Sequence, residues 1–306
     1  MPDEDDDPEA AAAATAEEAS AFSHPTVPPG ATAAYGPHPD QVIDFYAPTA
    51  QGDPNGPASA PLVVALHGGA WRAPYDRAHL SPFAAHLART GLAVASVEYR
   101  RGPAPLPAQR TETRTPDGPV AGRWPDTLDD VAAALDALPG LVARLLPVAD
   151  VRRTVLTGHS AGGHLALWAA SRHALPPDAP WFLERPPALR GVVALAPIAD
   201  LRTATALGVC SDAARQFLGG PIAFEARLPY ADPAALLPTG IATVLVQGAT
   251  DRDVPRAVAD AYADAAARAG EEVGLTVLPD VGHFPLIDPA ADACAVVAEE
   301  IAQLAW

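Results

Sequence analysis

The 306-residue chain has no lysine and a single methionine; all 20 of its basic residues are arginine, against 37 Asp and Glu, for a formal net charge of −17. An acid excess of this kind argues against nucleic acid or anionic membranes as partners. Cysteine is equally scarce. Cys210 and Cys294 are the only two, too few for a disulfide framework in a chain this long, and neither sits at a Cys/His spacing that holds zinc. They read as reduced thiols of a cytoplasmic protein. No apolar run approaches the length of a membrane span, and the first residues lack the basic and apolar regions of a secretory signal. No internal repeat is visible.

What is present suits one large α/β domain preceded by a tail. Hydrophobic residues make up 49% of the chain, enough for a sizeable core. Eight of the 37 acidic residues lie in the first 25, leaving 29 against 20 basic residues elsewhere. Residues 1–30 are acidic and alanine-rich and end in Pro28-Pro29-Gly30. The expectation is a mostly disordered, solvated tail with at most a fraying helix over Pro8–Ala21, whose removal leaves stability and turnover little changed. Residues 31–306 form the domain.

Along the domain, apolar strands are expected at 42–46, 61–66, 92–97, 153–156, 191–196, 241–246 and 274–278. Helices are expected near 78–90, 125–138, 161–172, 256–269 and 290–304. Alternating strands and helices predict a mostly parallel central sheet with helices on both faces. Residues 198–239 read as a small helical, cap-like insertion. With the Pro- and Arg-rich loop 102–123 it is expected to bound a pocket, Phe217, Leu218 and Phe224 being either pocket wall or helix core.

The most telling segment is Gly158-His159-Ser160-Ala161-Gly162-Gly163, between a short strand and a helix. Gly-x-Ser-x-Gly in that context is a nucleophile elbow. The turn is too tight for side chains beside the serine, and it presents the hydroxyl at the end of the sheet with the Ala161 N–H aimed at a developing oxyanion. Upstream, the strand 61–66 runs into His67-Gly68-Gly69-Ala70-Trp71-Arg72. In hydrolases with such an elbow a His-Gly-Gly loop supplies the remaining oxyanion donors, here the N–H groups of Gly69 and Ala70. His67 is expected to hold the loop rather than react. In the chain order Ser, acid, His, only His164, His173 and His283 follow the serine. The first two fall on the next helix, which leaves His283, in the loop after strand 274–278, as general base. For the acid, Asp251 and Asp253 both follow strand 241–246, and Asp200 is a further candidate. Trp71, His159 and Phe284 are the candidate substrate contacts.

Together these motifs, with Tyr99-Arg100-Arg101, Trp124-Pro125 through Asp130, Gly248-Ala249-Thr250-Asp251 and Gly282-His283-Phe284, resemble the α/β-hydrolase superfamily over about residues 35–305. Within it the chain looks like the esterase and kynurenine-formamidase-like group. Hormone-sensitive-lipase-type enzymes usually carry a third glycine where this chain has Ala70, and continue Tyr-Arg with a segment that is absent here. Trp71 completes the His-Gly-Gly-x-Trp form of the formamidases. The resemblance implies the α/β-hydrolase fold and Asp251 as the acid; no Cys/His/carboxylate cluster with metal spacing is visible in the sequence, so no metal and no cofactor are expected. The resemblance also implies a small ester or amide substrate: first a carboxylic ester, alternatively N-formylkynurenine. A catalytically dead fold serving as a binding module is disfavoured by the presence of both Ser160 and His283.

Overall fold

The structure, a computed structural model, describes residues 8–49, 59–102 and 120–306. The expected loop 102–123 therefore lies for the most part outside the described residues. Among the described residues eight strands form one sheet: β1 (Ala31–Ala34), β2 (Val42–Tyr46), β3 (Ala60–Leu66), β4 (Ala93–Val97), β5 (Ala149–His159), β6 (Gly191–Leu195), β7 (Thr243–Gly248) and β8 (Gly274–Leu278). Their order is β1-β2-β4-β3-β5-β6-β7-β8. The β1–β2 and β2–β4 pairs are antiparallel, and every pair from β4 to β8 is parallel.

The central strands are apolar along their whole length because both faces are covered. Along β3, Leu62, Val64 and Leu66 enter one cluster while Val63 and Ala65 enter the other. The first layer takes the helix Asp126–Leu145 and the helix Ala161–Ala170, with Val258 and Tyr262 of the helix Ala257–Arg268. The second takes Phe83 and Leu87 from the helix Ser81–Arg89, and Val297 and Ile301 from the helix Asp292–Ala305. This is the α/β-hydrolase fold, with helices on both faces as the alternation of elements requires. The residues that follow β3, β5, β7 and β8 emerge at the carboxyl ends of parallel neighbours, where open α/β sheets place their chemistry.

Several features depart from the sequence reading. The edge strand β1 was not expected; Ala31-Thr32-Ala33-Ala34 is half-exposed and pairs only with β2. The helix from Asp126 passes through Pro139 and ends at Leu145 rather than at Leu138. Residues 198–239 fold as helices Leu201–Ala206, Val209–Phe217 and Pro221–Ala231 and a short 3₁₀ turn, Pro233–Leu236. Of the two alternatives left open for Phe217, Leu218 and Phe224, the structure shows helix core: all three are buried in the main cluster.

The largest departure is at the start of the chain. Instead of a solvated tail, residues Pro8–Ser23 form a helix, α1, that docks on the domain. Glu17 Oε1 accepts from the Gly282 N–H at 3.0 Å, Ser20 donates to Asp288 at 2.6 Å, and His24 Nε2 meets Asp288 Oδ1 at 2.6 Å. An isolated alanine-rich helix of 16 residues is marginal in water. Glu17 and Ser20, at i and i+3 on one face of the helix, and His24 just past its end supply the anchoring that composition alone does not show.

Candidate active site

The turn after β5 carries Ser160 at φ +57° and ψ −118°, a strained conformation for a side-chain-bearing residue. It persists because the surroundings hold it. The Ser160 N–H donates to Leu195 O at 2.8 Å, and its carbonyl accepts from the His164 N–H at 3.1 Å. A Cβ on Gly158 would overlap the Gly162 carbonyl, and one on Gly162 would overlap the Leu66 carbonyl at the end of β3. The two glycines are thus what lets the elbow sit against the neighbouring strand. Ala161 is the first residue of the helix, so its N–H lacks an intrahelical acceptor.

The loop after β3 faces this helix end. Gly69, Ala70 and Trp71 have φ of +103°, +50° and +53°. The Gly69 and Ala70 N–H groups donate to no group among the described residues, which leaves them available to an oxyanion beside Ser160. His67 holds the loop as expected. Its Nδ1 meets Gly68 O at 2.8 Å, its Nε2 meets Glu98 Oε1 at 2.9 Å, and its ring stacks on Tyr99 at 4.2 Å. Burial alone would raise the Glu98 carboxyl. His67, Arg101 and the Arg77 N–H outweigh that and hold it at about 2, so it remains an anion beneath the loop. Arg100 forks onto Asp130, with Nε to Oδ2 at 2.8 Å and Nη2 to Oδ1 at 2.6 Å. Tyr99, through its hydroxyl to the His67 carbonyl, and Arg101, on Glu98, support the loop, while Arg100 and Asp130 form a separate pair; none of them lines the pocket.

Asp251 and His283 meet across the β7 and β8 loops. His283 Nδ1 donates to Asp251 Oδ2 at 2.7 Å, with both side chains buried. The other carboxylate oxygen accepts the N–H groups of Asp253 and Val254, each at 2.9 Å, and Gln247 Nε2 donates to Oδ2 at 3.1 Å. Burial disfavours the charged imidazole of His283. The Asp251 charge and hydrogen bond, with smaller contributions from Asp253 and Glu17, more than reverse this and lift its pKa above the ordinary 6.5. Asp253 contributes its backbone N–H and lines the pocket, and the helix that follows starts at Ala257, with Arg256 at its N-cap position and no side chain capping it. Asp200 caps the helix Leu201–Ala206 by accepting from the Thr203 N–H. His164 is bound to Ala231 O and His173 to Thr239 O, as their places on the far side of the elbow lead one to expect.

Ser160 and His283 open into one cavity of about 250 Å³, lined also by Gly69, Ala70, His159 and Phe284. His159 Nε2 donates to His283 O at 3.0 Å, and burial drives its pKa well down, so it is a neutral prop for the His283 loop. Trp71 is not among the lining residues. The indole is fully buried in the core, stacked on Phe217 at 4.6 Å and edge-on to His164. Trp71→Ala should therefore lower the unfolding free energy by about 3–5 kcal/mol in a denaturant titration, with little change in KM for a small ester. Phe22, Arg72, Tyr75, His79, Cys210 and Ser211 complete the lining and were not anticipated. Cys210, Ser211 and Asp212 are three successive residues at positive φ, a conformation that no sequence motif marks. Among the described residues no cluster of three or more His, Cys, Asp or Glu is placed to hold a metal, and no helix is long and apolar enough to cross a membrane.

A parallel sheet with helices on both faces, and a serine on a tight strand-to-helix turn at its carboxyl edge, define a hydrolase of the α/β class. The model of the alpha/beta hydrolase family matches residues 63–296, and the chain belongs to that family. It is 30% identical over 124 residues to a probable carboxylic ester hydrolase, LipM, of Mycobacterium tuberculosis; the match covers 40% of this chain and only 23% of that protein's length. Among solved structures it is similar to esterase B of Lactobacillus rhamnosis, with a TM-score of 0.71 and 20% identity over 96% of this chain and 92% of that one. It is also similar to a thermophilic esterase of Thermogutta terrifontis, with a TM-score of 0.61 and 21% identity over 93% and 94% of the two chains. At these identities the likeness to the two esterases is one of fold.

Proposed function

We propose that the protein is a serine hydrolase of small carboxylic esters, with Ser160 as nucleophile, His283 as general base and Asp251 as its orienting acid. The observation that carries this reading is the 2.7 Å bond from His283 Nδ1 to Asp251, on a ring that lines the same cavity as Ser160. With Nδ1 committed to Asp251, Nε2 is left to take the proton from Ser160 Oγ as it attacks the ester carbonyl. The tetrahedral oxyanion rests on the N–H groups of Gly69, Ala70 and Ala161. Collapse breaks the bond to the alcohol, which leaves with the proton from His283. Water then repeats the sequence on the acyl-serine and releases the acid.

Two features favour a short acyl group. The cavity, at about 250 Å³, lies below the usual range for drug-sized ligands. The structurally similar esterases are recorded inhibited by a tributyrin phosphonate (Lactobacillus) and bound to propionate (Thermogutta). Hydrolysis of p-nitrophenyl acetate and butyrate should exceed that of the palmitate many-fold. A preference for palmitate would overturn the short-acyl assignment, and N-formylkynurenine cleaved faster than either short ester would move the protein to the arylformamidases.

The pH profile follows from His283. The base works only when neutral, and its pKa is raised above 6.5. Lowering the pH through that raised value should therefore abolish activity, so the acid limb of kcat/KM should lie above 6.5. An acid limb well below 6.5 would contradict the pairing with Asp251.

A further inference from the structure

We propose that helix α1 is a working wall of the catalytic pocket: Glu17, through the Gly282 N–H, positions the loop that carries His283, and Phe22 limits the length of the substrate group the pocket admits. The proposal rests on the serine-hydrolase reading.

The helix grips the His283 loop at both ends. Before His283, the Glu17 carboxylate accepts from the Gly282 N–H at 3.0 Å and lies so close that a Cβ on Gly282 would overlap Glu17 Oε2. After it, buried Asp288 takes hydrogen bonds from Ser20 and His24 at 2.6 Å each. Between these anchors lie His283 itself and the turn Phe284–Leu286. The loop is thus held from one side by Asp251 and His159 and from the other by α1. A general base must stay within hydrogen-bond reach of its nucleophile, and a small misplacement of a catalytic group lowers turnover strongly.

The same helix closes the cavity. Phe22 remains 39% exposed, unusual for so large an apolar side chain. Its ring meets Phe284 at 5.4 Å, His79 at 5.5 Å and Tyr75 at 6.4 Å, all of them lining residues. It therefore stands at the rim of the cavity, where a longer acyl or alcohol group would have to pass.

Glu17 also carries charge toward the base. The groups that face His283 are Asp251, Asp253 and Glu17, which favour its charged form, and neutral His159. Glu17 itself titrates higher than usual because it is partly buried, a rise only partly countered by its bond to Gly282.

The test uses the full chain with Glu17→Ala, Glu17→Gln and Phe22→Ala. The readouts are kcat and KM on p-nitrophenyl acetate and hexanoate, the pH profile, Tm, and the rate of Ser160 labelling by a fluorophosphonate. Glu17→Ala should lower kcat and the labelling rate about tenfold, the value of one charge-assisted hydrogen bond, with KM little moved. Glu17→Gln keeps an oxygen for the Gly282 N–H, so it should restore most of kcat while moving the acid limb to lower pH. Phe22→Ala should raise the hexanoate-to-acetate ratio of kcat/KM several-fold. The proposal is overturned if Ser160 labels normally while Glu17→Ala leaves kcat unchanged and Phe22→Ala leaves the ranking unchanged. It is equally overturned if loss of kcat merely follows a fall in Tm that Gln does not repair. If the unmodified protein neither labels at Ser160 nor hydrolyses either ester, it is the serine-hydrolase reading that fails.

Discussion

Ser160→Ala should lower kcat on p-nitrophenyl butyrate by roughly 10⁴–10⁶-fold and leave Tm within about 4 °C. The hydroxyl is the only group the substitution removes. The elbow is held by backbone bonds from Ser160 to Leu195 and His164, and these survive. What turnover remains would come from the Gly69, Ala70 and Ala161 N–H groups and from substrate binding. His283→Ala should lose a similar amount, and the double variant should be no worse than either single one, because the proposed nucleophile and base would act as one unit. Retention of most activity in Ser160→Ala, or additive losses in the double variant, would show that the two do not share a mechanism.

Asp251→Asn should lower kcat by about 10⁴-fold, against less than about tenfold for Asp253→Asn. The asymmetry follows from how each carboxylate is bonded. One oxygen of Asp251 accepts two backbone N–H groups, from Asp253 and Val254; the other accepts His283 Nδ1 and Gln247 Nε2. An asparagine has one acceptor oxygen. The two backbone donors retain it, and the new NH₂ then faces His283. The imidazole can meet that donor only by moving its proton from Nδ1 to Nε2, which leaves no lone pair for the serine proton. The Asp253 side chain acts on His283 through its charge, and the backbone N–H it gives Asp251 survives the substitution. Losing it should move the acid limb slightly lower, since one fewer anion then favours the imidazolium. Equal losses in the two variants would remove the orienting role from Asp251.

How much of this was legible in the sequence depended on what kind of constraint each residue answers to. The elbow was legible because sterics demand glycine at 158 and 162. The buried strands were legible because burial on both faces demands unbroken apolar runs such as Leu62–Leu66. In the sequence only the resemblance favours Asp251 over Asp253, because two residues of separation do not show that one carboxylate meets His283 and the other does not. A helix over Pro8–Ala21 is legible from its alanine, but its docking is not, because its anchors Glu17, Ser20 and His24 are polar, and a hydrophobic periodicity has nothing there to detect. Strand β1 is four small residues at an edge, with neither β-branching beyond Thr32 nor full burial to mark it. The place of Trp71 is not legible, because its neighbours Gly69 and Ala70 line the cavity while its own indole packs on Phe217 and His164, residues far away in the sequence.

The central claim is that Ser160 becomes acylated, and a covalent trap tests it most directly. The protein is treated with a short-chain p-nitrophenyl phosphonate, digested, and mapped by mass spectrometry. The account predicts one adduct, on the peptide that carries Gly158-His159-Ser160-Ala161-Gly162, with inactivation in step with labelling and no adduct in Ser160→Ala. Ester hydrolysis that persists in the labelled protein, or an adduct on any residue other than Ser160, would contradict it.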